Sequence, residues 1–219
     1  MHAESPDLFE RPAIEPIVPG ALLLHGEAAD DEVQLLADLA AVISAVPLRH
    51  LITPGGYRMS VAMSNCGSLG WVSDETGYRY STIDPASGEP WPVMPDSFRA
   101  LATRAAARAG FEGFEPDACL INRYVPGARL TLHQDRDERD KRHPIVSVSL
   151  GLPAVFLFGG LKRNERARRV PLVHGDVVVW GGPARLAYHG VLPLAEPLRQ
   201  GGHPLTGACR FNLTLRRAG

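Results

Sequence analysis

The sequence is poor in cysteine, almost free of net charge and without long apolar runs, and each of these features excludes a class of protein. Its 3 cysteines form no CxxC pair, so free thiols in a reducing compartment are the simplest account. The formal charge of −1 argues against binding of nucleic acid by bulk electrostatics. No uninterrupted apolar run approaches the roughly 20 residues of a membrane span, and the polar, acidic start is unlike a signal or transit peptide. We therefore expect a cytoplasmic protein without membrane contact.

The length of the chain predicts its domain organisation, and its local charge identifies two basic segments. A chain of 219 residues fits one domain with a core that needs no disulfides. We predict an extended lead-in over residues 1–20, which carry four prolines and no periodicity, and a single monomeric domain over residues 21–219. Residues 162–169 carry five cations and one anion, and residues 136–142 add more; a solvated loop and a basic face are both open interpretations.

Two segments carry apolar residues at the three- and four-residue spacing of an amphipathic helix. The first runs from about residue 30 to residue 46, before Pro47, and the second from about residue 96 to residue 109, before Gly110. The predicted apolar face of the first helix consists of Val33, Leu36, Ala37, Ala40 and Ile43. That of the second consists of Phe98, Leu101, Ala105 and Ala109.

The chain between and after these helices differs in composition. The segment from about residue 50 to residue 95 is rich in Gly, Ser, Tyr, Met and Trp and has weak periodicity. This composition predicts an N-terminal substrate-binding lid or a small hairpin subdomain. After Gly110, short runs bounded by turn residues predict strands at 118–124, 130–133, 145–150, 154–158, 169–173, 177–180, 186–189 and 209–216. We therefore predict an α+β fold with flanking helices and a double-stranded β-helix (jelly roll) core at about residues 115–217.

His133-Gln134-Asp135 and the more distant His189 form a candidate metal site. A histidine and a carboxylate two apart on a strand point to the same face, and a further histidine completes the 2-His-1-carboxylate set suited to non-haem Fe(II). We predict that His133 and Asp135 leave the second core strand and that His189 ends the seventh, so that they meet at the mouth of the jelly roll. An accidental pair on a surface turn is the alternative. His174 competes as a ligand, but its His-Gly-Asp context is typical of a hairpin turn.

The last predicted strand alternates polar and apolar side chains. Its polar face consists of Arg210, Asn212, Thr214 and Arg216. A half-exposed strand has the same pattern, but two arginines beside Asn and Thr donors also form a bidentate site for carboxylates. Such a face, turned inward, suits an iron protein that binds a 2-oxo acid. In such proteins the oxidative decarboxylation of the 2-oxo acid by O₂ generates an oxidant that abstracts hydrogen from a C–H bond.

Several motifs occur in a fixed order between about residues 47 and 217. They are TPGGY at 53–57, SVAM at 60–63, NRY at 122–124, PGARLTLHQDRD at 126–137, the segments 145–151 and 174–180, and RFNLTLR at 210–216. Together they resemble the signatures of the AlkB family of Fe(II)/2-oxoglutarate-dependent dealkylating dioxygenases, and its bacterial members in particular.

The resemblance implies that His133, Asp135 and His189 bind Fe(II). It implies that the cosubstrate 2-oxoglutarate contacts Asn122, Tyr124, Arg210, Asn212, Thr214 and Arg216. In this arrangement Arg210 pairs with the distal carboxylate and Arg216 with the carboxylate nearer the metal. O₂ is the third reactant.

The substrates that the resemblance implies are N-alkylated bases, such as 1-methyladenine and 3-methylcytosine, in single-stranded DNA, with RNA and double-stranded DNA as further candidates. A flipped base needs flat surfaces for stacking, and Trp71 is implied to stack on it opposite His133. Tyr78 is implied to contact the backbone, Asp137 the exocyclic amine, and Arg163 the base or its phosphate. The implied pocket wall consists of Thr53, Tyr57, Met59, Ser60 and Met63.

Other interpretations stay open at this point. Met59 and Met63 are also explained as packing residues, Tyr57 as a turn residue and Trp71 as a core anchor. Ala187 stands where a bulkier residue is usual in the family, and residues 192–204 look extended, so substrate preference is less defined than chemistry. Two other functions fit: an oxygenase acting on a protein or small molecule, and a non-catalytic, cupin-like metal-binding module.

Overall fold

The structure is a computed structural model that describes residues 12–197, 203 and 206–219. The N-terminal elements are β1 (Ile14–Val18), β2 (Ala21–Leu24), α1 (Glu32–Ala45), β3 (Ala62–Gly67), β4 (Gly70–Asp74), β5 (Gly77–Ser81) and α2 (Asp96–Arg108). The C-terminal elements are β6 (Ala118–Tyr124), β7 (Leu130–His133), β8 (Ile145–Gly151), β9 (Ala154–Phe158), β10 (Arg168–Leu172), β11 (Val177–Trp180), β12 (His189–Val191) and β13 (Arg210–Arg216). Most of the predicted lead-in, residues 1–11, lies outside the described residues.

Two antiparallel sheets form the core. The larger sheet has the order β1-β2-β11-β8-β13-β6-β3, and the smaller one has the order β10-β9-β12-β7. Apolar side chains of both sheets meet in one cluster, with Val178 and Trp180 from the larger sheet packed with Phe156, Phe158 and others from the smaller sheet. Two sheets closed over a shared interior are the predicted jelly-roll arrangement, and the open end of this interior positions the site.

The opposite face of the larger sheet is covered by the two helices. Phe98, Leu101 and Ala105 of α2 are buried as predicted. In α1 the buried residues are Leu35, Leu39 and Val42, whereas the predicted Val33 is 74% exposed. The face predicted for α1 is therefore wrong in part. Both sets have helical spacing, and the sheet is covered by the set that supplies two leucines, because larger side chains bury more apolar surface.

The strand prediction fails mainly at the seventh core strand. The sequence predicts it at residues 186–189, but β12 begins at His189 and ends at Val191. A short 3₁₀ turn at Gly182–Ala184 precedes it, and Ala187 is buried in the interior cluster without belonging to a strand. Apolar content alone therefore placed the strand three residues too early, and His189 opens β12 instead of ending a strand.

The N-terminal third contributes more to the core than the sequence indicated. The predicted lead-in contains β1, which pairs with β2, and β2 in turn pairs with β11 of the larger sheet. β3 pairs with β6 at the other edge of that sheet. The expected lid region therefore supplies one core strand, followed by the separate hairpin β4–β5. Among the residues described, no helix is long and apolar enough to span a bilayer.

Candidate metal and cosubstrate site

Strand pairing brings the three predicted metal ligands together. His189 of β12 lies directly opposite His133 of β7, and their ring centroids are 4.4 Å apart. Asp135 follows two residues after His133; its Oδ1 lies 3.7 Å from His133 Nε2, and its Oδ2 lies 3.7 Å from His189 Nε2. Ligand atoms of all three residues lie within 4.8 Å of one another. These two histidines and one carboxylate have the residue types of a facial triad.

Backbone carbonyls set the orientation of both histidine rings. His133 Nδ1 lies 2.8 Å from the carbonyl oxygen of Thr131, and His189 Nδ1 lies 3.0 Å from that of Ala187. A carbonyl only accepts, so each Nδ1 donates a proton to it and each Nε2 is the ring nitrogen that remains for a ligand at the centre. Second-sphere carbonyls fix the rings of metal-binding histidines in this way, and the donor set therefore fits a metal ion.

The protonation states of the cluster also suit a metal. Burial, and then the neighbouring His133, lower the pKa of His189 to about 4, so its imidazole is neutral at neutral pH. Burial alone raises the pKa of Asp135, but the charge of Arg216 and the two nearby histidines lower it below its usual value. A neutral imidazole and an ionised carboxylate are the forms that bind metal ions.

The polar face of β13 points into the same interior, as predicted. Arg210, Asn212, Thr214 and Arg216 are buried, although they are polar or charged. Arg216 makes an ion pair with Asp135, with Nη2 at 2.5 Å and Nε at 3.0 Å from the same carboxylate oxygen. The two arginines therefore occupy different surroundings: Arg216 has a carboxylate partner beside the metal ligands, and Arg210 lies at the other end of the strand.

Arg210 carries a buried charge whose binding capacity is largely unused. It is 1% exposed, and Nη2 donates to Ser149 Oγ at 2.8 Å. Its Nε and Nη1 have no hydrogen-bond partner among the described residues, and the buried Oδ1 of Asn122 has none either. Burial lowers the pKa of Arg210 to about 10. Because an uncompensated buried guanidinium is costly, this end of the interior fits a carboxylate ligand such as the distal end of 2-oxoglutarate.

One cavity of about 840 Å³ joins all the predicted positions. Its lining includes the metal candidates His133, Asp135 and His189 and the cosubstrate candidates Asn122, Tyr124, Arg210, Asn212, Thr214 and Arg216. It also includes the substrate candidates Thr53, Tyr57, Met59, Ser60, Met63, Trp71, Tyr78, Asp137 and Arg163. The structure therefore brings every predicted site residue to one cavity, while the individual roles stay predictions.

The outer part of the cavity is aromatic and exposed. Trp71 and Tyr78 of the β4–β5 hairpin stack with ring centroids 5.5 Å apart and an interplanar angle of 14°. Trp71 Nε1 donates to Asp137 Oδ2 at 2.9 Å. This bond joins the hairpin to the loop between β7 and β8 (residues 134–144), which carries Asp135 and is called the metal loop below. Tyr57, at 77% exposure, lies on the rim. Trp71 is partly buried and packs against the interior cluster, so it contacts the core and also lines the mouth of the cavity.

Several predicted wall residues have a structural task as well. Thr53 Oγ1 accepts a hydrogen bond from the backbone N–H of Tyr57 and so closes the TPGGY turn. Ser60 Oγ donates to the carbonyl oxygen of Arg129. Met63 is buried in β3 opposite Asn122, so its side chain is part of the interior as well as of the cavity wall. These contacts fix the shape of the wall whatever binds there.

The sequence prediction omitted other residues that line the cavity. They include Arg58, Arg129, Arg136, Gln134 and Tyr188. Arg136 and Gln134 are neighbours of the metal ligands, so proximity to the His-x-Asp motif was a usable signal for them. His174 lies outside this cavity's lining and accepts a hydrogen bond from the Gly151 N–H, with Nε2 2.7 Å from Glu32, in agreement with its predicted structural role.

A two-sheet jelly roll with two histidines and a carboxylate at its open end defines the class of non-haem iron oxygenases. Comparison with known proteins narrows this class. The model of the 2OG-Fe(II) oxygenase superfamily matches residues 20–216. The chain is 58% identical over 215 residues to the alpha-ketoglutarate-dependent dioxygenase AlkB of Escherichia coli (strain K12), covering 97% of this chain and 98% of that protein. The chain therefore belongs to the AlkB family of 2OG-Fe(II) oxygenases.

Two further relatives agree with this assignment. The chain is 35% identical over 174 residues to the DNA N(6)-methyladenine demethylase ALKBH1D of Arabidopsis thaliana, covering 69% of this chain and 38% of that protein. A solved structure, that of OsALKBH1, superposes with a TM-score of 0.75 at 29% identity and covers 93% of this chain and 99% of that one. The predicted jelly-roll fold is thereby confirmed. As a member of this family the chain is a dioxygenase that uses Fe(II), 2-oxoglutarate and O₂.

Proposed function

We propose that this dioxygenase removes N-methyl groups from nucleobases, such as 1-methyladenine and 3-methylcytosine, in single-stranded DNA. One observation carries the proposal: a single cavity runs from the His133–Asp135–His189 cluster to the stacked pair of the partly buried Trp71 and the exposed Tyr78. Flat side chains at the mouth suit a base that has left its stack. The Arabidopsis thaliana relative, whose name describes a DNA demethylase, supports the same class of substrate.

In this proposal each end of the cavity has a separate task. His133, Asp135 and His189 hold Fe(II), Arg210 pairs with the distal carboxylate of 2-oxoglutarate, and Arg216 contacts the carboxylate nearer the metal. Asn122, Tyr124, Asn212 and Thr214 line the same pocket. Bound Fe(II) and 2-oxoglutarate supply the oxidation of the N-methyl carbon by O₂, with release of succinate and CO₂. The resulting hemiaminal collapses to the free base and formaldehyde.

The outer cavity holds the base. Trp71 stacks on it opposite His133, and Asp137, whose carboxylate already accepts from Trp71 Nε1, meets the exocyclic amine and the positive charge of the lesion. Tyr78 contacts the backbone, and Arg163 contacts the base or its phosphate. The wall is formed by Thr53, Tyr57, Met59, Ser60 and Met63. A domain division into a lid at about residues 50–95 and a core at about residues 115–217 is part of the proposal.

The direct test is one incubation. Single-stranded oligonucleotides that carry 1-methyladenine or 3-methylcytosine are treated with the iron-loaded protein, with and without 2-oxoglutarate, and weighed by mass spectrometry. We expect the oligonucleotide to lose the mass of one methylene unit, about 14 Da, only in the presence of 2-oxoglutarate. Unchanged masses from a protein that still converts 2-oxoglutarate would exclude the substrate assignment. RNA and double-stranded oligonucleotides in parallel reactions define the range of partners.

Two rival functions are distinguished by the same site. Family membership makes the protein an enzyme, which decides against a non-catalytic cupin-like module. An oxygenase of proteins or small molecules shares the metal end of the cavity but has no need of the hairpin aromatics. We further propose that the enzyme acts as a monomer in the cytoplasm, where its free cysteines Cys66, Cys119 and Cys209 stay reduced.

A further inference from the structure

Arg185 is a buried arginine outside the predicted site, and all three of its nitrogens are bonded. It is 3% exposed and follows the 3₁₀ turn that precedes β12. Nη1 donates to the carbonyl oxygen of Asp135 at 2.8 Å and Nε to that of His143 at 2.9 Å. Nη2 donates to Glu138 Oε2 at 2.8 Å. One side chain therefore holds both ends of the loop between β7 and β8.

These contacts join the two segments that carry the metal ligands. His133 and Asp135 belong to β7 and the loop after it, whereas His189 begins the strand that follows Arg185. A second bond links the same segments, because Gln134 Nε2 donates to the carbonyl oxygen of Leu186 at 2.5 Å. The separation of Asp135 from His189 is therefore set by the contacts of Arg185 and Gln134 as well as by pairing between β7 and β12.

Glu138 extends this connection to the hairpin. Its Oε2 accepts from Arg185, and its Oε1 accepts from the hydroxyl of Tyr80 at 2.9 Å. Oε1 also lies 3.4 Å from Nε of Arg216. Tyr80 is the β5 partner of Trp71 on β4. The buried pair Arg185–Glu138 thus contacts the metal loop on one side and the aromatic hairpin on the other.

Stability alone is a weak reason for such a pair. Buried ion pairs often contribute little net stability, because the cost of removing two charges from water offsets their attraction. The distinctive feature here is that two of the three donated bonds end on backbone carbonyls of the metal loop, one of them on the ligand residue Asp135 itself. Outer-sphere partners of this type orient metal ligands.

We propose that Arg185 is a positioning residue that, with Glu138, fixes the Asp135 loop against His189 and the hairpin against that loop. The inference rests on the proposed metal site and deepens it. Loss of Arg185 weakens metal binding although Arg185 touches no metal ligand atom. Loss of the bond between Tyr80 and Glu138 frees the hairpin from the metal loop and lowers the affinity for the oligonucleotide.

The test is an anaerobic titration of the full chain with Fe(II) at saturating 2-oxoglutarate, followed by the visible absorption band of the ternary complex. Arg185→Lys keeps a charge opposite Glu138 but cannot reach three acceptors. The double variant Glu138→Gln, Arg185→Met removes both charges and leaves no unpaired ion. We expect the Fe(II) affinity of both to fall by about 10- to 100-fold, with thermal midpoints close to that of the parent protein. Arg104→Met is the control, because it removes an arginine that is paired with the buried Glu27 and with Asp31 and lies outside the lining of the cavity.

The outcomes separate the inference from the proposed function. If His133→Ala binds Fe(II) as the parent does, the proposed metal site is wrong. If His133→Ala loses the band but both Arg185 variants keep parental affinity, only the positioning role is wrong. If affinity and thermal midpoint fall together in both variants, Arg185 is merely structural and the inference is overturned. Tyr80→Phe should keep the Fe(II) affinity and raise the KM for an oligonucleotide by a few-fold; an unchanged KM would remove the hairpin from the scheme.

Discussion

The two ends of the cavity are built in opposite ways. At the inner end, the side chains come from β7 and β12, which pair in the smaller sheet, from the residue Asp135 just after β7, and from β13 in the larger sheet. Most of them are buried and bonded to backbone or to one another. At the outer end, Trp71 and Tyr78 come from a two-stranded hairpin with its own small sheet, and Tyr57 from an exposed turn. Rigid strands hold the groups that must keep their geometry, and turns and hairpins hold groups that adapt to a ligand. Reaction and recognition are therefore separable by mutation.

The largest loss of activity is expected from substitution of a metal ligand. His133→Ala should reduce both oligonucleotide demethylation and substrate-free turnover of 2-oxoglutarate by at least about 1000-fold, because both need the metal. His143→Ala is a matched control, since the two side chains are similarly exposed, at 39% for His133 and 37% for His143. Succinate release and oligonucleotide mass measure the two activities. Retention of either activity by the His133 variant would contradict the proposed inner end.

The next largest effect is expected at Arg210. Arg210→Met removes the buried cation that we assign to the distal carboxylate, so the KM for 2-oxoglutarate should rise by about 100-fold. The KM for the oligonucleotide should change little, because Arg210 lies at the inner end. Arg217→Met, at a half-exposed arginine just after β13, serves as the control. Equal changes in both KM values would mean that the two ends are not separable.

A third change sharpens the comparison from the other side. Trp71→Ala should lower kcat/KM for a methylated oligonucleotide by about 10- to 100-fold, the range expected for loss of base stacking. Substrate-free turnover of 2-oxoglutarate should persist. Trp71→Phe keeps a flat ring but loses the hydrogen bond to Asp137, so it should recover most of the loss if stacking dominates. A parallel fall of both activities in Trp71→Ala would remove the stacking role.

The inner end was also the part that the sequence predicted best. Alternation along residues 210–216 placed four polar side chains on one face, and the structure turns that face inward. The His-x-Asp spacing likewise brought two ligands to one side. These predictions rest on the two-residue period of strands, which depends only on local backbone geometry.

Other features depend on contacts between distant parts of the chain. The helical spacing of α1 fits two faces, and only packing against the sheet selects Leu35 and Leu39 over Val33. The proline-bearing sequence of β1 predicts an extended lead-in, and only its pairing with β2 makes it a strand of the sheet. Arg185 is one arginine among many in the sequence, and its bond to the Asp135 carbonyl joins residues 50 positions apart, so no local pattern indicates it.

The smallest expected effect concerns the basic rim. Arg163 is exposed at the edge of the cavity, so a contact with phosphate would be made in water and would contribute little. Arg163→Ala should raise the KM for a single-stranded oligonucleotide only a few-fold and lower the magnitude of its salt dependence by about one in a plot of log affinity against log salt. Arg99→Ala, an exposed arginine on α2, should change neither value. An unchanged salt slope in the Arg163 variant would show that residues 162–169 form a solvated loop. Recognition of the oligonucleotide backbone would then rest on other groups of the outer cavity. Neither result affects the roles proposed for the inner end.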